Sequence, residues 1–139
     1  MSRPVSILIA LAAALLALPA TAGDFAVIVN KANASTVDSA AVVKIYTGER
    51  KIWDDGTPVM ALDLPESSAV RADFCSEVLK KTVGALKSLW AQMVFSGKGL
   101  PPKVVSSDDD VKKVVSANKG AIGYVKASSV DESVRVAIR

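Results

Sequence analysis

Histidine is absent from the 139 residues, and cysteine occurs once, as Cys75. The first absence removes imidazole general bases, Ser-His-Asp triads and histidine-ligated metals. The second removes any intrachain disulfide and any thiolate-rich zinc or iron–sulfur cage. Charge of one sign is scarce too: 17 Lys and Arg stand against 14 Asp and Glu, a net +3 spread along the chain. Nucleic-acid binders concentrate positive charge on one face, and this chain has no such stretch, so no nucleic-acid partner is expected. Enzyme chemistry loses most of its usual reagents. The expectation is a binder with no catalytic role, no cofactor and no metal.

Half of the residues are apolar and 22% are charged, a globular rather than a disordered composition. The length suits one domain. The beginning reads as an export signal. Arg3 supplies a positive charge, Val5 to Leu18 is an apolar run interrupted only by Ser6, and Pro19 breaks it before Ala20-Thr21-Ala22. The run is short for a membrane span. No cysteine follows it, so no bacterial-type lipid anchor is expected. Residues 1–22 are therefore expected to be a cleavable signal peptide, and 23–139 a single exported α/β domain.

Strand and helix patterns alternate through that domain. Phe25 to Asn30 is a short apolar, β-branched run, read as a strand buried on both faces. Ser35 with Asp38 resembles a capping box, which predicts a helix from Ser35 with Val37, Ala41 and Ile45 on one face and Gly48 after its end. Trp53-Asp54-Asp55-Gly56 is a turn, and Val59 to Leu62 a second strand. A long helical stretch follows from Ser68, with a break expected at Gly84 and a stop at Gly97 and Gly99. Lys103 to Val105 is a third strand, Ser107 caps a further helix, and Ala121 to Val125 and Val134 to Ile138 are the fourth and fifth strands. This order implies a mostly parallel sheet of four to five strands with helices on both faces.

Most apparent motifs have plainer explanations. Asp108-Asp109-Asp110 in the first turn of a helix complements the macrodipole rather than forming a cation site. Asp54-Asp55-Gly56 lacks the further ligands of a calcium loop. Ser96-Gly97-Lys98-Gly99 follows a helix end, where the dipole repels anions, and reads as a glycine cap rather than a phosphate loop. Ser116-Ala117-Asn118-Lys119 places its serine at a helix end, the wrong place for a Ser-x-x-Lys nucleophile. Cys75 and Trp90 fall on apolar helical stripes and are expected in the core, whereas Trp53, after a turn, is expected to be more open.

One junction does carry chemistry. Asp63-Leu64-Pro65-Glu66-Ser67-Ser68 links the end of the second strand to a helix start, where ligands of parallel sheets collect. Free helical N–H groups near Ala69, the hydroxyls of Ser67 and Ser68, and Arg71 in the first turn suit a tetrahedral oxyanion. The turn beginning at Asn30 and Lys31 follows the first strand and is expected to face the same sheet edge, adding those two residues to the site. Asp63 is a candidate acceptor for a ligand proton, the feature that separates phosphate from sulfate.

Three segments together resemble the periplasmic phosphate-binding proteins of ABC importers, within the type II solute-binding superfamily. Ile45-Tyr46-Thr47-Gly48 with Trp53 resembles a helix end followed by Trp and a turn. Ser67-Ser68 with Phe74 six residues later resembles the helix start that grips phosphate. Gly120-Ala121-Ile122-Gly123-Tyr124-Val125 resembles the strand near the interlobe crossover. The resemblance covers nearly all of Asp24 to Val125. It implies a periplasmic phosphate or oxyanion binder with the fold of one lobe. A second lobe would come from another copy or from a membrane transporter or sensor subunit. Two features depart from the pattern: Ala69 and Val70 stand where the family has glycine and threonine, and Leu64 stands where it has arginine. Arg71 would compensate from the other side. Those departures also allow an alternative in which the same fold serves as a protein-interaction or sensory module that has lost its ligand.

Overall fold

A computed structural model describes residues 24–139, so the expected signal peptide lies outside the described residues. Five strands, β1 (Phe25–Val29), β2 (Met60–Asp63), β3 (Lys103–Val104), β4 (Ala121–Lys126) and β5 (Arg135–Ile138), form one sheet in the order β3-β2-β4-β1-β5. The helices are α1 (Ser39–Tyr46), α2 (Ala69–Phe74), α3 (Val83–Phe95) and α4 (Asp108–Ala117). No helix among the described residues is long and apolar enough to cross a membrane.

β2 pairs in parallel with β3 and β4, while β1 is antiparallel to both β4 and β5. Four strands thus point one way and β1 alone points the other. All five residues of β1 are buried, as its unbroken apolar run predicts for a strand covered on both faces.

The two faces separate along β4 with the period of two that a strand imposes. Tyr124 points to one side, where its ring stacks on Phe74 of α2 at 4.0 Å and lies 6.2 Å from Tyr46 of α1. Gly123 points to the other, against α4. A Cβ there would fall 2.5 Å from Val111 Cγ1, so only glycine lets helix and strand approach this closely. Val111 and Val115, the inner stripe of α4, are fully buried against this face.

Caps set the helix boundaries. Ser107 Oγ accepts from Asp110 N–H at the start of α4. Asp108 also clasps the end of β4, accepting from Lys126 N–H at 3.0 Å and Ser129 Oγ–H at 2.8 Å. Two expectations need correction. Helix α1 starts at Ser39, with Asp38 as its N-cap accepting from Ala41 N–H, not at Ser35. The reason is local: Asn30 and Asn33 side chains accept from the N–H groups two residues on, and these Asx turns hold the chain in a loop. The break in the long helical stretch also moves. Helix α2 continues through a π-helical turn, Cys75–Leu79, and stops where Lys80 turns left-handed at φ 54°. Thr82 then caps α3, and Gly84 sits inside it.

Trp53 is a third correction. It is 2% exposed, because its turn folds over the start of β4 and the indole N–H donates to Gly120 O at 2.9 Å. Cys75 and Trp90 are buried as expected, and Trp90 Nε1–H donates to Tyr46 O.

Candidate functional site

At the carboxyl end of β2 the buried Asp63 is surrounded by donors. Its Oδ1 accepts from Leu64 N–H at 3.0 Å and from the Tyr124 hydroxyl in a very short hydrogen bond. Its Oδ2 pairs with Arg71 Nη2 at 3.3 Å. Burial still dominates and pushes the Asp63 carboxyl above its ordinary range, with Tyr124, Arg71 and Leu64 N–H opposing it. Burial, reinforced by the neighbouring Asp63, likewise holds the Tyr124 and Tyr46 hydroxyls protonated well beyond their usual range. Tyr46 donates to Leu62 O at 2.7 Å, so the strand end is tied to α1 as well.

After Asp63 the chain turns through Pro65, whose carbonyl accepts from Ser68 N–H. Ser68 is in extended conformation and caps α2, its Oγ accepting from Arg71 N–H at 3.2 Å. A serine hydroxyl also carries one proton, which the cap leaves free to donate. Ala72 N–H is taken by Ser68 O, so the N–H groups of Ala69 and Val70 remain the open donors of this helix start. Ser67 and Ala69 are exposed and Ser68 is half-buried.

Arg71 folds inward. It is 7% exposed, its Nη1 donates to Leu64 O at 2.9 Å, and its Nη2 meets Asp63. Its Nε finds no hydrogen-bond partner among the described residues. Sequence reasoning placed Arg71 in the right turn of the chain but had no means of seeing that its charge is matched by Asp63. Nothing local in the sequence announces that pair, because the two residues meet only after the chain has turned back on itself.

At the start of α2, with the Arg71 guanidinium turned inward to Asp63 and Leu64 O, Ser67, Ser68 and Ala69 are brought together. Asn30 and Lys31 are not, which corrects the expected common edge. Because β1 runs opposite to β2, Val29 pairs with Ile122 near the start of β4, whereas Asp63 lies level with the later part of that strand. Asn30 is instead structural. Its Nδ2 donates to Val115 O at 2.8 Å and Ser116 O at 3.1 Å, tying down the end of α4, while Lys31 is exposed.

Residues 9–137 match a family model described as a PBP superfamily domain, which takes in nearly the whole chain. The chain belongs to the PBP superfamily. Among solved structures, this PBP domain is similar to an ABC-type phosphate transport receptor from Vibrio cholerae. The identity is 23% and the TM-score 0.64, over 81% of this chain and 44% of that one. It is also similar to a protein from Clostridium perfringens assigned as a phosphate ABC transporter substrate-binding protein, with phosphate bound. There the identity is 22% and the TM-score 0.65, over 84% of this chain and 46% of the other. PstS from Borrelia burgdorferi aligns at 15% identity with a TM-score of 0.59, over 81% and 46%. The likeness is one of fold, and the PBP domain spans under half the length of these proteins, as one lobe does. No curated protein matches the sequence.

Proposed function

We propose that this PBP domain is an exported oxyanion-binding module of the phosphate type, a substrate-binding component related to ABC-type phosphate import. The observation that carries the reading is the start of α2. There Ser67 and Ser68 hydroxyls and the open amides of Ala69 and Val70 cluster at the carboxyl end of a parallel strand. Neutral donors at a helix start are a ready anion site, and the helical path extends from Ala69 to Leu79 before Lys80 ends it. Arg71 lends its partly compensated charge from beneath, and Asp63 provides an acceptor beside it for a protonated oxyanion. Asn30 and Lys31, on the far edge, take no part in this site. The fold likeness to proteins named for phosphate transport supports the choice of anion.

Residues 1–22 act as a signal peptide that delivers residues 23–139 to the periplasm. A single lobe leaves one side of the ligand in water, so a second copy or a transporter or sensor subunit closes the site. Binding, not catalysis, is the role. Titration calorimetry with phosphate and sulfate tests this. Phosphate at a hundredfold excess over its Kd should raise stability by about 2.7 kcal/mol. Ser68→Ala should weaken phosphate about three- to tenfold through the lost hydroxyl donor. Absence of any heat or melting shift at millimolar phosphate would refute the reading.

One observation favours a second reading. Arg71 is already paired with Asp63, which lowers the positive charge offered to an anion. On that reading the same face docks a membrane sensor or transporter subunit without ligand. The protein would then ignore phosphate and co-purify with that subunit.

A further inference from the structure

Six large apolar side chains stand exposed among the described residues, and five of them, Met60, Val94, Phe95, Leu100 and Val104, line two adjoining clefts. The clefts share Trp90, Pro101 and Pro102, so the five belong to one continuous surface around the end of α3 and the start of β3. Ile52, the sixth, lies outside both. Phe95 is 95% exposed and Leu100 82%. Together the five leave on the order of 500 Å² of apolar surface in water, as much as the largest patch of an ordinary monomer. A standard interface takes about 800 Å² from each partner, a little over half of it apolar. This one surface supplies that apolar share.

The surface carries its own complement. Phe95 stands at the rim of a cleft of about 780 Å³, so a two-fold axis beside it sets the ring of each copy into the cleft of the other. The charges lining that cleft cancel within one copy, Arg71 against Asp63 at 3.3 Å and Lys87 against Glu66 at 3.0 Å. Two such faces meet without net repulsion, although the chain as a whole carries +3. Lys51 and Lys103 line the neighbouring cleft with no acidic residue among them, and a two-fold centred on the neutral cleft leaves them at the polar rim. Extension of the sheet is blocked. Pro101 and Pro102 offer no N–H, and Lys103 puts a charge on the edge strand β3, so no further strand adds there. Copies therefore pack side chain against side chain, and association stops at two. We infer that this face joins two copies of the chain in a two-fold dimer, with Phe95 of each seated in the cleft of the other. The inference goes beyond the oxyanion reading and does not rest on it.

Sedimentation velocity of the purified protein from about 0.1 to 100 µM tests this. The mass should rise from one chain to two, half-complete at about 10 µM or below, and go no higher. Phe95→Ser should weaken the dimer at least about a hundredfold, because the two-fold loses the ring twice. Val104→Ser, across the cleft, should weaken it about tenfold, whereas Ile52→Ser, off this face, should leave it unchanged. All three positions are exposed, so the fold does not depend on them. A single chain at every concentration would overturn the inference, and so would a dimer that neither Phe95→Ser nor Val104→Ser weakens. Growth beyond two chains would overturn the closed two-fold. A monomer that pairs through Phe95 only with a membrane subunit would overturn it as well and give the face to that partner. Phosphate titration of the same samples keeps the two readings apart. A monomer that binds phosphate overturns only this inference, and a dimer that ignores phosphate overturns only the oxyanion reading.

Discussion

Replacing Arg71 by Met removes the positive member of a pair whose side chains are 9% and 5% exposed. At 3.3 Å and an effective dielectric constant of about 20, the gross attraction lost is roughly 5 kcal/mol. The Leu64 carbonyl also loses the Nη1 donor and is left underbonded, at about 1–3 kcal/mol. Relief of the cost of burying a guanidinium offsets part of this, so the net loss expected at pH 7 is about 3–5 kcal/mol. The pH dependence has a fixed sign. Without Arg71 the Asp63 carboxyl, already raised by burial, rises further above its unfolded value. A carboxyl raised in the folded state favours folding where it is protonated, and that contribution is lost as pH climbs from the ordinary carboxylate range upward. The deficit of Arg71→Met against the parent is therefore smaller at pH 4 than at pH 8. Urea unfolding at both values measures it, and Asp63→Asn added to Arg71→Met should restore about a kcal/mol or more by removing the stranded charge. A loss below about 0.5 kcal/mol at pH 7, or one equal at pH 4 and pH 8, would refute the pairing argument.

The two tyrosines are the only ones in the chain and both are buried, so alkaline titration reads them without interference from exposed phenols. The folded protein should show no tyrosinate absorbance near pH 11. Because both hydroxyls titrate later folded than unfolded, stability should fall as pH rises above about 10, by up to roughly 1.4 kcal/mol per pH unit for each tyrosine. Tyrosinate appearing before the circular dichroism changes would contradict this. Gly120→Ala should cost at least about 1–3 kcal/mol in thermal unfolding, because its Cβ would overlap Pro58 O, a backbone atom that cannot swing away. A melting temperature equal to that of the parent would mean the β2–β4 approach is looser than described. The Ser68→Ala effect on phosphate completes the set.

Two of the departures from expectation share a cause. Asp38 rather than Ser35 caps α1 because two asparagines upstream, Asn30 and Asn33, claim the intervening backbone for Asx turns. Lys80 rather than Gly84 breaks the helical stretch because Thr82 is placed to cap α3. Both signals lie in the sequence, within a few residues of the event, but they compete with a capping box and a glycine of similar strength. Trp53 differs in kind. Its burial depends on the carbonyl of Gly120, which is distant in the chain.

By itself the sequence determined the elements, their order, the caps of α2 and α4, the buried strand Phe25–Val29 and the serine-rich turn after β2. Those follow from periodicity and dihedral preference over a few neighbouring residues. Only the tertiary structure decided that β1 runs against its neighbours, which carries Asn30 and Lys31 to the far edge, and that Arg71 turns inward to Asp63. It alone placed the apolar walls of α3 opposite Pro102 and Val104. Strand direction, charge partner and cleft all depend on which distant segments come to lie side by side, and that is fixed by how the whole chain buries its apolar surface.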